Sequence, residues 1–270
     1  MPRTCPSPVR RRSSVESGHG DTGVTVLNWD GCVNVRDLGG IPTEDGRRTR
    51  TGSVVRSDNI GFLTAAGWRA LEAHGVTRIV DLRWPEEVAE DPPRDVDIEV
   101  VHVSVLGPSL EASSEYLREH DRHLDTIDDA TDHYAWAYVD FLERNRERFG
   151  RAFAAIAAAE GTVVVHCMGG KDRTGLVAGL LLRLGEVSRE EIGRDYSLSG
   201  PNLSGTLGTW LESAPNAVER ARREKLSDTP ARAMEQVVAE VERRYGDVAG
   251  YLRAAGLTEE QIEQLRRRLR

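Results

Sequence analysis

From Val163 to Gly175 the chain reads V-V-V-H-C-M-G-G-K-D-R-T-G, placing a thiol at the end of an apolar run and a glycine pair and three charged residues behind it. The apolar run predicts a buried strand over Thr162 to His166, and the apolar stretch after it predicts a helix starting near Arg173. A glycine-rich turn that feeds a helix turns several backbone N–H groups toward one point, where the helix dipole adds partial positive charge. Residues Met168 to Arg173 are therefore expected to form an anion cradle. Gly169 and Gly170 supply permissive dihedrals, Lys171 and Arg173 add full charges, and the fork of Arg173 suits a phosphate better than the ammonium of Lys171. Cys167 stands at the mouth of this field. A free thiol has a pKa of about 8.5, and helix N-termini with nearby cations lower it to roughly 3.5 to 7.5, so Cys167 is expected to be a nucleophile at neutral pH.

Other readings of the same stretch fit less well. A lone cysteine at a strand end is commonly a small buried hydrophobe, but that reading leaves the C-x5-R spacing and the run G-K-D-R-T-G without a purpose. A nucleotide-binding loop of the form G-x-x-x-x-G-K-[ST] would need glycine where Val165 stands and Ser or Thr where Asp172 stands. A sulfur-transferring rhodanese-type site is closer in chemistry but uses a shorter cysteine loop.

The elements that must position the loop alternate along the chain. "GVTVLNW", "SVVRS", "VTRIVDL", "IEVVHVSV" and "GTVVVH" predict strands. "TAAGWRALEAHG" predicts a helix with Thr64 as N-cap and Gly75 as stop, and "DHYAWAYVDFLERNRERFGRAFAAIAAA" predicts helix with a break around Phe149 and Gly150. "TGLVAGLLLRLG" is apolar nearly all round, as a buried helix would be. Ser188 and Glu191 have capping-box spacing, and the C-terminal stretch reads as two or three amphipathic helices, the last opening at Thr258. This alternation predicts an α/β fold with a mainly parallel sheet covered by helices on both faces, with its ligand beyond the carboxyl ends of the strands. The weakly patterned segment 107–131 is expected to be short helices or a loop over the site, as lids often are.

Composition sets the bounds. At 270 residues, 39% hydrophobic and 30% charged, the chain has the profile of a soluble globular protein, divided as a flexible tail over 1–22 and a single domain over 23–270. The "RRRSS" of the tail is a kinase site, an electrostatic handle or simply solvated. A formal charge of -8 argues against a nucleic-acid partner. Cys5, Cys32 and Cys167 lack the spacing of a disulfide framework or a metal site, which suggests a reducing compartment. No stretch approaches the roughly 20 apolar residues of a membrane span and no apolar run follows the basic start, so a cytoplasmic location without integral membrane association is expected.

The loop H-C-M-G-G-K-D-R-T-G resembles the H-C-x5-R-[ST] signature of the cysteine-dependent phosphatases, and more narrowly that of the bacterial atypical tyrosine and lipid phosphatases. Three further segments fit that family in its order: N-V-R-D-L-G-G at Asn34 to Gly40, with Val35 for the usual aromatic; R-S-D at Arg56 to Asp58; and D-L-R-W-P-E-E at Asp81 to Glu87, similar to its D-L-R-x-x-x-E motif.

The resemblance implies a phosphatase acting on a phosphotyrosine protein, with dual-specificity or phosphoinositide activity left open, through a phosphocysteine on Cys167. It implies no cofactor and no metal, since the cations of the loop take the metal's place. An idle phosphate-recognition module is the competing reading, though a pure binder has no use for the thiol. Arg173 and the loop amides would hold the phosphoryl oxygens, and Thr174 would hydrogen-bond the sulfur as it leaves. Two carboxyls could act as general acid, Asp172 in the loop and Asp81 at a strand end; the family points to Asp172, while Asp81 could equally be a structural partner of Arg83 or of loop amides. His166 is read as a support for the loop, and Arg36, Asp37, Arg56 and Asp58 as an ion-pair network beneath it. Lys171 could bind a neighbouring phosphate on an inositol ring or simply add to the field. Cys32 could form a protective disulfide with Cys167.

Overall fold

The structure is a computed structural model describing residues 23–94, 96–127 and 129–270. The expected N-terminal tail, with Cys5 and the arginine run, lies outside the described residues.

Six strands form one sheet: β1 (Thr25–Val26), β2 (Arg36–Asp37), β3 (Val54–Ser57), β4 (Val76–Asp81), β5 (Glu99–His102) and β6 (Thr162–His166), in the order β1-β2-β3-β6-β4-β5. β3, β6, β4 and β5 run parallel, while β2 pairs antiparallel with β3 and with the exposed β1. The "GVTVLNW" stretch thus contributes only a two-residue edge strand. β6 is central, and its register sets His166 between Ser57 of β3 and Asp81 of β4. Cys167 therefore emerges at the carboxyl edge of the sheet, flanked by two of the segments that carry the sequence motifs.

Successive β6 side chains face opposite sides of the sheet. Val164 packs with Val55, Ile79, Trp68 and Leu71 on the side covered by α1 (Ala65–Ala73). Val163 and Val165 pack on the other side, which takes α4 (Ala130–Arg144), α5 (Arg146–Ala157) and α6 (Asp172–Leu184). α6 is buried over nearly its whole surface, because the other helices enclose it: α7 (Arg189–Ser197), α10 (Ala231–Tyr245), α11 (Val248–Ala254) and α12 (Glu259–Leu269). The apolar stripes of these helices, among them Val237, Val241, Leu252, Ile262 and Leu269, belong to the same buried cluster as Val163. Thr258 and Gln261 complete a capping box at the start of α12, whereas Ser188 caps α7 through the Glu191 N–H while Glu191 turns to Arg194.

The long helical stretch breaks elsewhere than the glycine suggested. α4 stops at Arg144 and α5 begins at Arg146, with Asn145 between them at φ -116° and ψ 23°. Gly150 lies inside α5, where a Cβ would come within 2.1 Å of the Ala255 carbonyl oxygen, so its smallness serves helix packing. Segment 107–131 contains one long helix, α3 (Leu110–Thr126), capped by Ser109 and seated on α2 (Pro85–Glu90), whose Glu86 carboxylate accepts the Leu110 N–H. Two further helices, α8 (Ser199–Glu212) and α9 (Ala217–Ser227), come from a stretch rich in Gly, Ser and charge; α9 buries none of its residues.

Candidate active site

The turn between β6 and α6 is held from outside by its carbonyls. The Met168 oxygen accepts from the Asn59 backbone N–H at 2.9 Å, the Gly169 oxygen from the Asn34 side-chain amide at 3.0 Å, and the Gly170 oxygen from Arg56 Nη2 at 2.7 Å. In a trans peptide the C=O and N–H point in opposite directions, and none of the described peptide bonds is cis. Fixing these carbonyls outward therefore turns the Gly169, Gly170 and Lys171 N–H groups inward. α6 adds to this: its N-cap, Lys171, makes no side-chain cap bond, so the first N–H groups of the helix stay open to a ligand.

Only one of the two loop glycines is sterically required. Gly170 has φ +65°, and a Cβ there would lie 2.5 Å from the Ser57 carbonyl oxygen and 2.6 Å from the Asp58 nitrogen. Gly169 has no left-handed dihedral, and a Cβ there would meet only Leu203 at 3.8 Å.

Cys167 is buried at the strand end, and its carbonyl accepts from His166 Nδ1 at 3.2 Å. Burial lowers the proton affinity of His166, so the ring is neutral near pH 7 and serves as a hydrogen-bonding brace. Arg173 is also buried, with its terminal nitrogens on Glu87 of α2, Nη1 to Oε2 at 2.5 Å and Nη2 to Oε1 at 2.9 Å. Its Cζ lies over the Trp84 ring, 4.7 Å from the centroid. Burial opposes the charge of Arg173, but Glu87, with Cys167 and Asp172 nearby, more than restores it and holds the pKa above the ordinary arginine value. The Thr174 hydroxyl is buried and has no hydrogen-bond partner among the described residues, leaving its proton for a group that enters the site.

The two candidate acids differ sharply in setting. Asp81 is buried, and both its oxygens accept from Arg83: Oδ1 from the backbone N–H and Nε, each at 3.0 Å, and Oδ2 from Nε at 3.1 Å and Nη2 at 2.7 Å. Burial works against its charge, and His166 and Arg83 together more than offset it and hold this carboxyl below its ordinary range. That is the structural partnership with Arg83, and it disfavours Asp81 as a proton donor. Asp172 opens α6 with its side chain 44% exposed. Its Oδ1 accepts the hydroxyl proton of Tyr138, and no described residue bonds Oδ2.

Lys171 has partners of its own within the protein. Its buried ammonium donates to the Tyr134 hydroxyl at 2.6 Å and to the Leu226 carbonyl at the end of α9 at 2.8 Å. Burial lowers its pKa.

The ion-pair network beneath the loop exists, with a different acid from those expected. Arg36 Nε and Arg56 Nη1 meet on the two oxygens of Asp195 of α7, at 2.9 and 2.5 Å. Arg36 also donates to the Asn34 side-chain oxygen. Burial pulls the Arg36 pKa down to about 10, which leaves it charged. Asp37 and Asp58 instead accept backbone N–H groups, Asp37 from Gly39 and Gly52, Asp58 from Val33 and Asn34. They are short acidic side chains tying turns, where a bidentate partner for two arginines opposite each other on β2 and β3 had to come from another element. Cys32 and Cys167 are both free thiols, and Cys32 Sγ donates to the Asn59 carbonyl at 3.4 Å.

Several residues of the site carried no role in the sequence reading. Asn34 and Glu87 lie inside recognised motifs and were legible there as motif letters. Asp195, Tyr138 and Tyr196 sit in helical stretches whose amphipathic pattern hides a polar tip on a buried tyrosine ring and a carboxylate whose arginine partners are distant in sequence.

Comparison with known proteins points to one family. Residues 27–270 match the model of the tyrosine phosphatase family. A tyrosine-protein phosphatase of Nostoc commune is 33% identical over 230 residues, covering 80% of this chain and 74% of that protein. The triple specificity protein phosphatase PtpB of Mycobacterium tuberculosis is 27% identical over 276 residues, covering 90% of this chain and 98% of its own.

Proposed function

The chain belongs to the tyrosine phosphatase family, and from that premise we propose that it hydrolyses phosphotyrosine in proteins through a phosphocysteine on Cys167. The observation that carries this reading is the set of outward-held carbonyls of Met168, Gly169 and Gly170, which aims their N–H neighbours at one point beside Cys167 and Arg173.

Sγ of Cys167 attacks phosphorus in line, the S–P bond forms and the P–O bond to the tyrosine breaks. The equatorial oxygens rest on the loop N–H groups and on Arg173, whose positions are set before substrate arrives, so they cost no reorganisation during the reaction. The leaving oxygen takes its proton from Asp172. In the second step water attacks the phosphocysteine, Asp172 takes a proton from that water, and the S–P pair returns to sulfur, which the Thr174 hydroxyl is free to hydrogen-bond.

A phosphotyrosine protein is favoured over a phosphoinositide because the second loop cation, Lys171, is held by Tyr134 and Leu226. Phosphoserine and phosphothreonine fit the same chemistry, with leaving groups that lean harder on the acid.

The test is turnover of p-nitrophenyl phosphate without added metal, beside phosphotyrosine peptides and phosphoinositides on one preparation. Wild type turns over the first two and Cys167→Ser neither; activity retained by Cys167→Ser removes this nucleophile and the mechanism with it.

A further inference from the structure

A carboxylic acid that donates a proton has one O–H and one carbonyl oxygen, and something must decide which is which. Resting on the reading of Asp172 as the acid, we infer that Tyr138, backed by Tyr196, is a positioning residue that makes that choice: it donates to Oδ1 and so leaves the proton on Oδ2. Tyr138 is buried on α4, its hydroxyl bonded to Asp172 Oδ1 and 2.8 Å from the Tyr196 hydroxyl. The rings stand edge to face with centroids 6.0 Å apart.

The direction of the chain of bonds follows from its end. An ionised Asp172 only accepts, so the single proton of Tyr138 goes to it, and the bond between the phenols is then donated by Tyr196. Burial and the nearby Asp172 charge raise the pKa of both phenols well above the ordinary tyrosine value, so both remain donors at any working pH. Tyr134, one helical turn before Tyr138 on the same face, takes the preceding loop residue, Lys171. The other groups around the carboxylate are Lys171 Nζ at 3.6 Å from Oδ1 and the Arg173 guanidinium.

When Oδ2 passes its proton to the leaving oxygen, Asp172 becomes an anion and the bond from Tyr138 becomes charge-assisted. Hydrogen bonds to charged groups are roughly twice as strong as neutral ones. The interaction therefore tightens on the way to the transition state, which is the condition for it to accelerate the reaction. In the second step the same bond holds the carboxylate that deprotonates the water.

The experiment compares Tyr138→Phe, Tyr196→Phe, Asp172→Asn and the double variant Tyr138→Phe/Asp172→Asn on a phosphotyrosine peptide and on p-nitrophenyl phosphate, whose leaving phenol is far more acidic. Tyr138→Phe keeps the ring and is expected to lower kcat/KM about 10- to 100-fold on the peptide, the range of one charge-assisted hydrogen bond, and much less on p-nitrophenyl phosphate. The alkaline limb of its pH profile moves up, because the ionised form of the acid has lost a donor. In the Asp172→Asn background the same change costs nothing further on the peptide, and Tyr196→Phe reproduces the leaving-group pattern at smaller size. Equal losses on both substrates, an unmoved alkaline limb, or a full additional loss in the double variant reduce Tyr138 to packing and overturn the inference. Asp172→Asn alone checks the underlying reading: if its effect does not depend on the leaving group, Asp172 is not the acid. Should Tyr138→Phe fail to fold, Tyr196→Phe decides, its leaving-group dependence supporting the inference and a uniform loss overturning it.

Discussion

Glu87 grips Arg173 with both carboxylate oxygens, while the Glu87 carboxylate also accepts the Trp84 backbone N–H at 2.8 Å and so caps its own helix. A guanidinium has five N–H donors. Glu87 takes one from each terminal nitrogen, which leaves Nε and one hydrogen on each of the other two for a phosphate. The ion pair therefore aims the arginine and leaves it able to bind. Glu87→Gln is expected to lower kcat/KM about 10- to 100-fold, from weakening one charge-assisted contact of about 1.5–3 kcal/mol. Phosphate or vanadate affinity, measured directly, should fall with it; unchanged affinity would show that Arg173 holds its position without help.

Gly170 is the residue on which the curvature of the loop depends. Its φ of +65° and the proximity of the Ser57 carbonyl leave no place for a side chain. Gly170→Ala is expected to cost at least about 1–3 kcal/mol of backbone strain and to cut activity by more than tenfold, since the N–H of the next residue is re-aimed. Gly169→Ala, in open space, should keep most of both. Thermal unfolding and steady-state turnover of the two variants make the comparison, and equal behaviour would contradict it.

Stability toward acid should follow Asp195. Burial works against its charge, but Arg36 and Arg56 prevail and hold its pKa below the ordinary range. A depressed carboxyl contributes stability that is fully present above its unfolded-state pKa, about 3.9, and is lost as pH falls through the folded-state value. Asp195→Asn leaves two buried guanidinium groups without their anion, so a loss of about 3–5 kcal/mol is expected at pH 7. In urea titrations the deficit relative to wild type should shrink below about pH 4, where wild type forfeits the same contribution. A deficit that is constant with pH would show that the charge of Asp195 is not what matters.

How far the sequence carried depends on the kind of signal. The β6 strand, the loop and α6 were legible because hydrophobic run, glycine turn and apolar helix follow one another within a few residues, and local pattern decides them. α8 and α9 were not, because Gly205, Gly208 and the exposed charges of the stretch give little periodicity, and α9 buries nothing. The break at Asn145 was displaced to Gly150 because a glycine demanded by close approach to Ala255 looks, in sequence, the same as one that ends a helix. In the site, the thirteen residues from Val163 to Gly175 could be read together. The pairing of Arg36 and Arg56 with Asp195 joins residues 159 and 139 positions apart, and only the folded register brings them to one carboxylate.

The same logic separates the two aspartates. Asp81 holds Arg83, itself buried, through both oxygens, so Asp81→Asn leaves that internal charge only the half-exposed Asp91 carboxylate, 3.5 Å from Nη1, and is expected to cost about 1.5–3 kcal/mol of stability. Because no oxygen of Asp81 is free to give a proton, whatever activity survives should show the wild-type dependence on leaving group. Asp172 is half exposed and opens a helix that other contacts hold, so Asp172→Asn should leave the unfolding midpoint within about 1 kcal/mol while steepening the dependence of kcat on leaving-group pKa. A series of aryl phosphates on both variants, with unfolding curves from the same preparations, measures the two effects together. A steeper dependence in Asp81→Asn than in Asp172→Asn would reverse the assignment, since a proton donor matters most where the departing oxygen is most basic.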